Sequence, residues 1–162
     1  MSDYRTTVRW ERGDQNFLDN KYSRGHTWLF DGGAQIAASS SPHVVPIPMS
    51  IEENVDPEEA FIASISSCHL LFSLYFTARK GFVLDTYVDK AAGTVGKNAE
   101  GKLAVTKVTL RPVTTFSGDN QPSAEELEDM HHQSHESCYI ANSVTTEIET
   151  LLDAVPNTVM NR

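Results

Sequence analysis

Alternating apolar and polar side chains predict short strands near both ends of the chain. Every second residue from Tyr4 to Trp10, and again from Tyr22 to Phe30, would lie on the same face of a strand. This period is typical of half-buried strands. The same alternation returns at residues 144–149, where it predicts a closing strand.

A turn and a long loop are predicted to follow the first strands. Residues 31–33 read Asp-Gly-Gly, so residues 34–38 are expected to return as the second arm of a hairpin. Residues 39–54 contain three prolines, which break regular structure. We therefore expect a surface loop there, and we regard it as a candidate lid.

A long helix is predicted to begin after Asp56. Asp56 supplies an acceptor at the N-cap, Pro57 suits the first helical position, and Glu59 stands where a capping box needs a carboxylate. The helix should run to about Lys80 and end at Gly81.

This helix has no polar face over residues 61–76, where its polar members are mostly serines. A helix that is apolar or small on every side is normally buried all round. A small sheet can cover only one side of it, so we infer that a second subunit covers the rest.

The remaining chain predicts a β-ribbon and a second helix. Residues 82–96 and 102–116 are β-prone runs joined by a turn at residues 98–101, which favours an antiparallel pair. Ser123, followed by Glu126 three residues later, forms a capping-box pattern that starts a helix. The predicted fold is α+β, a single domain of residues 1–162 with antiparallel sheets around a buried central helix.

Composition narrows the possible partners and location. The 162 residues carry a formal net charge of −9, and basic residues are scattered, so binding to nucleic acid is not expected. The amino terminus has no apolar stretch behind its charges, and no uninterrupted run of about 18 apolar residues occurs. We expect a cytoplasmic protein without a membrane partner.

Two cysteines, Cys68 and Cys138, do not make a disulfide framework in a reducing compartment. One interpretation is that each is a small buried hydrophobic residue. The other is that they form a redox pair. Since a free thiol has a pKa of about 8.5, burial alone would make Cys68 unreactive, and a reactive Cys68 needs a cation nearby.

The helix itself does not supply that cation. Cys68 lies ten residues after Glu58, which is about 15 Å along a helix. The positive end of the helix dipole fades within one turn.

Arg24 is the best candidate cation. Strand parity places it on the face that carries Trp28, which we take to be the buried face. A buried guanidinium needs an anionic partner, and Glu58 at the helix start is the nearest plausible one. The alternative is an exposed arginine in a bulge at Gly25.

A thiolate held by an arginine that a carboxylate fixes in place suits attack on a hydroperoxide. The attack leaves a sulfenic acid on Cys68, which condenses readily with a second thiol. Cys138 is the only other thiol in the chain.

Histidines raise two competing hypotheses. His131, His135 and Cys138 fall at i, i+4 and i+7, which could form a metal site, although glutamates and serines around them favour a solvated helix face. A Cys-His hydrolase using His69 is a weaker hypothesis, because adjacent residues on a helix point about 100° apart.

Four segments resemble the OsmC/Ohr family, whose names refer to osmotic induction and organic hydroperoxide resistance. Their order and spacing match over nearly the whole chain. The most specific feature is an Asp-Pro-Glu-Glu helix start with a cysteine ten residues after its first glutamate. The segments are Tyr-Ser-Arg-Gly-His-Thr-Trp at 22–28, Asp-Pro-Glu-Glu-Ala-Phe at 56–61, Ser-Ser-Cys-His at 66–69, and His-Glu-Ser-Cys-Tyr-Ile-Ala-Asn at 135–142.

The resemblance implies an intertwined homodimer with two active sites at the subunit interface. It implies that Cys68 attacks the peroxide, that Cys138 resolves the intermediate, and that Arg24 and Glu58 tune the thiolate. In the Ohr branch the disulfide is reduced by dithiols such as lipoyl groups. Tyr139 stands where that branch usually has proline.

Together with His69 beside the first cysteine, Tyr139 makes the chain look closer to a divergent OsmC-like subgroup. We therefore predict a thiol-dependent peroxidase that reduces hydroperoxides, with organic ones preferred, and that requires no cofactor. The competing hypothesis is a binding protein of the same fold, whose cysteines and histidines hold a metal or a small molecule without peroxidase turnover.

Overall fold

The computed structural model describes residues 1–152, which form a mixed α+β structure with two helices and eight strands. They fall into two compact units, one of residues 1–61 and one that begins at Ile62. The boundary lies inside the first helix. Each unit is described by itself, and the single domain expected from the sequence stays a prediction.

The first unit contains a three-stranded antiparallel sheet in the order β1-β2-β3. The strands are β1 (Thr6–Arg9), β2 (His26–Phe30) and β3 (Gln35–Ala38). The predicted turn is confirmed: Gly33 has a φ of +90°, which suits glycine, and its N–H donates to Phe30 O over 2.9 Å. The second strand is shorter than predicted and begins at His26.

Residues 39–54 form the predicted loop, with turns and no helix or strand. Its start is held by Ser39, whose N–H donates to Val55 O over 3.0 Å, while its hydroxyl accepts from Ile51 N over 3.0 Å. Ser41 and Ser50 are also buried. A lid function for this loop stays a prediction.

Helix α1 (Pro57–Arg79) has the predicted caps. Asp56 Oδ1 accepts from Glu59 N over 2.8 Å, and Asp56 N donates back to Glu59 Oε2 over 3.3 Å. At the other end Gly81 has a φ of +80°. This conformation lets the N–H groups of Gly81 and Phe82 donate to carbonyls of the last turn.

Burial of α1 within this chain follows one narrow stripe. The buried residues recur every fourth position, as Ile65, His69, Ser73 and Thr77. Large apolar side chains on other sides are exposed, among them Leu71 at 63% and Tyr75 at 51%. The helix is therefore not buried all round within one chain, and its buried stripe is mainly polar.

By length and composition alone, α1 is apolar enough to cross a membrane, with a mean hydropathy of 1.5. The core helix of a soluble protein passes the same test, so this is weak evidence for a membrane span. The expectation that the protein has no membrane partner stays a prediction.

The second unit contains the predicted antiparallel ribbon, divided into two sheets. Its strands are β4 (Val83–Asp89), β5 (Ala92–Lys97), β6 (Leu103–Leu110) and β7 (Pro112–Ser117). β5 pairs with β6 and β4 pairs with β7, both antiparallel. The ribbon is interrupted at Arg111, whose N–H donates to Asp89 Oδ1 over 2.6 Å instead of continuing the ladder.

Helix α2 (Ala124–Ser137) begins with the predicted capping box of Ser123 and Glu126. The last strand among residues 1–152 is β8 (Glu147–Thr150), which starts later than predicted. β8 pairs with β6 in parallel, so the sheets are not all antiparallel as expected. Lys107 on β6 supports this pairing through ion pairs with Glu147 and Glu149 at 3.3 and 2.9 Å.

Candidate active site

The two cysteines lie together in the second unit. Cys68 is half-buried in the middle of α1, and Cys138 is the first residue after α2, with only 1% of its surface exposed. Both are free thiols, and they lie within hydrogen-bonding range of each other. Since neighbouring thiols can form a disulfide when their geometry allows it, this placement is suited to thiol redox chemistry.

The environment of Cys138 favours its protonated form. Burial raises the pKa of Cys138 to about 11, and the hydrogen bond with Cys68 adds to the increase. The N–H of Ala141, which donates to Cys138 Sγ over 3.4 Å, acts in the opposite direction. At neutral pH Cys138 is therefore a thiol, and it must lose its proton when it attacks another sulfur.

Arg24 lies just before β2, and its guanidinium is held by its own loop. It donates to the carbonyl oxygens of Asn20 and Tyr22, and to Asn20 Oδ1 over 2.8 Å. Its Cζ also lies 3.9 Å from the centroid of the Tyr22 ring, at cation–π distance. Neutral acceptors and an aromatic face thus stabilise the charge.

The ion pair expected between Arg24 and Glu58 is absent among residues 1–152. Glu58 Oε2 is buried and has no hydrogen-bond partner in the described part of the chain. The alternative of an exposed arginine in a bulge is also wrong, because Gly25 precedes β2 and Arg24 is half-buried. Sequence reasoning assumed a carboxylate partner and overlooked nearby backbone carbonyls.

His26 has a role that sequence analysis missed. Its Nδ1 contacts Arg24 O at 2.8 Å, and its Nε2 accepts from the Trp28 indole N–H over 2.9 Å. These partners assign the proton to Nδ1, which then donates to the Arg24 carbonyl. The signal was available in the sequence, because residues two apart on a strand share a face.

An apolar cavity of about 510 Å³ lies beside Arg24 in the first unit. Trp10, Phe17 and Tyr22 form an aromatic cluster along its wall, with ring centroids 4.6–6.0 Å apart. The cavity therefore combines an apolar surface with a nearby cation. Its other lining residues are Val8, His26, Ser39, Ser40 and Pro57.

A buried histidine pair joins α1 to α2 next to the thiols. His69 Nε2 and His131 Nδ1 are 2.9 Å apart, and the two rings are nearly parallel. The pKa of each histidine is lowered to about 4, mainly by burial, and the neighbouring His131 and His135 contribute to the lowering for His69. Both are therefore neutral at pH 7. The regular spacing of the buried residues on α1 could have indicated this role for His69.

No group of three or more metal-ligating side chains is placed to hold an ion among residues 1–152. His131, which the metal hypothesis required, directs its Nδ1 to His69 instead. The position of His131 on α2 is therefore explained by its contact with α1.

Comparison with known proteins identifies the family. A family model described as OsmC-like protein matches residues 52–152, which is more than half of the chain. The chain belongs to the OsmC-like family. The matched span includes α1 with Cys68 and continues through Cys138.

Solved structures of OsmC-like proteins share this fold. An OsmC-like protein of unknown function from Vibrio cholerae is 54% identical, with a TM-score of 0.93 over 94% of this chain and 100% of that chain. An organic hydroperoxide resistance protein from Elizabethkingia anophelis is 16% identical, with a TM-score of 0.69 over 97% and 98%. The protein OhrB from Bacillus subtilis is 15% identical, with a TM-score of 0.67 over 94% and 98%. No curated protein matches the chain.

The buried histidines predict that stability falls in mild acid. Their pKa is about 4 when folded and about 6.5 when unfolded, so the unfolded chain binds more protons between these values. Stability should therefore be full above pH 6.5 and decrease as pH falls toward 4. For each extra proton that the unfolded chain binds, the free energy of unfolding falls by about 1.4 kcal/mol per unit decrease in pH.

Urea unfolding followed by circular dichroism at several pH values measures this slope. The control is the double variant His69→Leu/His131→Leu, which keeps all carboxylates but lacks both imidazoles. Between pH 6.5 and 4, the slope of its free energy of unfolding against pH should be smaller by the contribution of up to two protons. Equal slopes in both proteins would show that the pair does not govern the acid response.

Proposed function

We propose that this OsmC-like protein is a thiol-dependent peroxidase that reduces hydroperoxides, with organic ones preferred. The observation that carries the proposal is that the Cys68 and Cys138 side chains of one chain are near enough for Cys68 to raise the pKa of Cys138 through a hydrogen bond. Cys68 is the more accessible of the two, which suits the sulfur that meets substrate, and the buried Cys138 suits a resolving thiol. Relatives named for organic hydroperoxide resistance share the fold, which supports this reading.

The reaction proceeds in two steps. The Cys68 thiolate attacks the distal peroxide oxygen, the O–O bond breaks, and the leaving alkoxide takes a proton to become an alcohol. Cys68 is then a sulfenic acid. Cys138 loses its proton and attacks Cys68 sulfur, so that the disulfide forms and water leaves. A dithiol reductant, such as a dihydrolipoyl group, returns both cysteines to thiols and is itself oxidised to a disulfide.

Arg24 is proposed to stabilise the thiolate and the developing alkoxide, with Glu58 as its orienting partner. The apolar cavity beside Arg24 suits the hydrocarbon part of an organic peroxide, because it places an apolar wall next to a cation. The buried, unpartnered Glu58 Oε2 is available to accept from a guanidinium, although the pair is not formed in this structure. We further propose a cytoplasmic location.

Replacing Cys68 with serine should reduce consumption of cumene hydroperoxide to background, because a neutral hydroxyl is a poor nucleophile at neutral pH. Replacing Cys138 with serine should allow one turnover and then leave Cys68 open to over-oxidation. Intact-mass spectrometry after one equivalent of peroxide should show loss of two hydrogens per wild-type chain. Substantial turnover by Cys68→Ser would contradict the assignment.

The role of Arg24 is tested by alkylation of Cys68 with iodoacetamide across pH, in a Cys138→Ser background. If the guanidinium stabilises the thiolate, Arg24→Met should move half-maximal alkylation to higher pH, and Arg24→Lys should fall between. Each pH unit corresponds to about 1.4 kcal/mol.

Arg12→Met is a matched control, since Arg12 also donates to a neighbouring backbone carbonyl in the first unit. It should leave the alkylation profile unchanged. Coincident profiles for wild type and Arg24→Met would remove Arg24 from the site.

We also propose that the protein is a homodimer. The exposed apolar face of α1, with Leu71, Leu74 and Tyr75, supports this, since a large apolar patch on a soluble chain normally marks an interface. Sedimentation equilibrium at micromolar concentration should give a dimer, and Leu71→Glu should weaken it. Leu18→Glu, an equivalent change at an exposed loop leucine, should not. A stable folded monomer of the wild type would refute the proposal.

A further inference from the structure

The His69–His131 contact lies where the two helices hold the thiols. His69 directly follows Cys68 on α1, and His131 precedes Cys138 by seven residues on α2. Seven residues make about two helical turns, so His131 lies about two turns before Cys138, which follows the end of α2. His69 and His131 are 1% and 4% exposed, so water does not compete for their hydrogen bond.

This contact has strict chemical requirements. One hydrogen bridges two facing nitrogens, so one ring must donate and the other must accept. Replacing either ring with an apolar side chain leaves the other buried and unsatisfied at this position. The bond therefore fixes the distance between α1 and α2 more narrowly than apolar packing would.

A second buried hydrogen bond continues the same contact. Ser73, one turn after His69, donates to Ser134 Oγ over 3.2 Å, and Ser134 in turn donates to Met130 O over 2.7 Å. Ser134 lies four residues before Cys138. The turn of α1 that carries Cys68 is thus joined to the part of α2 that leads to Cys138.

We propose that the His69–His131 hydrogen bond positions Cys138 against Cys68 for disulfide closure. His69 and His131 are positioning residues, since they act through the helices and not on the substrate. The inference rests on the proposed function, because it concerns the second step of that reaction. In that step Cys138 sulfur bonds to Cys68 sulfur while the S–O bond of the sulfenic acid breaks and water leaves.

Other ionisable groups face the pair from α2 and the neighbouring strand. They are His135 on α2, and Tyr87 and Asp89 on β4, with the Tyr87 ring 6.3 Å from that of His131. Asp89 is itself held by Ser66 Oγ and Arg111 N. Since burial keeps both histidines neutral until pH falls to about 4, the contact persists over the range where thiols react.

Closure can be measured without peroxide. Glutathione disulfide first forms a mixed disulfide on Cys68, and Cys138 then displaces glutathione to give the Cys68–Cys138 disulfide. Rapid acid quench and intact-mass spectrometry follow this second step. A failure of the proposed peroxidase activity would leave this closure rate unchanged, so the two hypotheses are tested separately.

His69→Leu should slow closure about tenfold or more, because small displacements of reacting groups have large effects on rate. His69→Gln, whose amide nitrogen can replace Nε2, should restore most of the rate.

Lys80→Met is the matched control. Lys80 also joins the helices, through an ion pair with Asp129 at 2.6 Å, but it lies twelve residues from Cys68, or about 18 Å along α1. Its closure rate should equal that of the wild type. The proposal is overturned if folded His69→Leu closes at the wild-type rate, if Lys80→Met is slowed equally, or if His69→Gln shows no rescue.

Discussion

A hydrogen bond between two buried imidazoles joins α1 to α2, and the placement of both thiols depends on this contact. His69 and His131 have no access to water, so each relies on the other for a partner at the contact. The bond, together with that of Ser73 to Ser134, brings the middle of α1 against α2. Cys68 and Cys138 then meet because each lies beside this contact.

In one chain, α1 buries mainly polar residues and leaves large apolar residues exposed. Its buried face carries His69, Ser73 and Thr77, whereas Leu71 and Tyr75 remain exposed in one chain. Burying polar groups is favourable only when they are hydrogen-bonded, which the histidine and serine contacts achieve. The exposed apolar side chains are those that the proposed dimer would cover.

The candidate residues of the second unit and Arg24 in the first unit differ in their electrostatic environment. Burial keeps Cys138 protonated and both histidines neutral at pH 7, since each charged form would lose its hydration. The Arg24 guanidinium, by contrast, lies among carbonyl oxygens and against the Tyr22 ring. In the second unit Cys138 is thus a protonated thiol, and in the first unit Arg24 lies beside an apolar cavity.

Local sequence signals determined most elements of this protein. The caps at Asp56 and Ser123, the stop at Gly81 and the turn before β3 each depend on neighbouring residues, so they could be predicted directly. The family motifs likewise indicated Cys68 and Cys138. Only the tertiary structure decided the partners of Arg24, the parallel pairing of β8 with β6 and the His69–His131 bond. These depend on groups far apart in the chain, or on backbone acceptors that every residue carries, and no residue pattern selects among them.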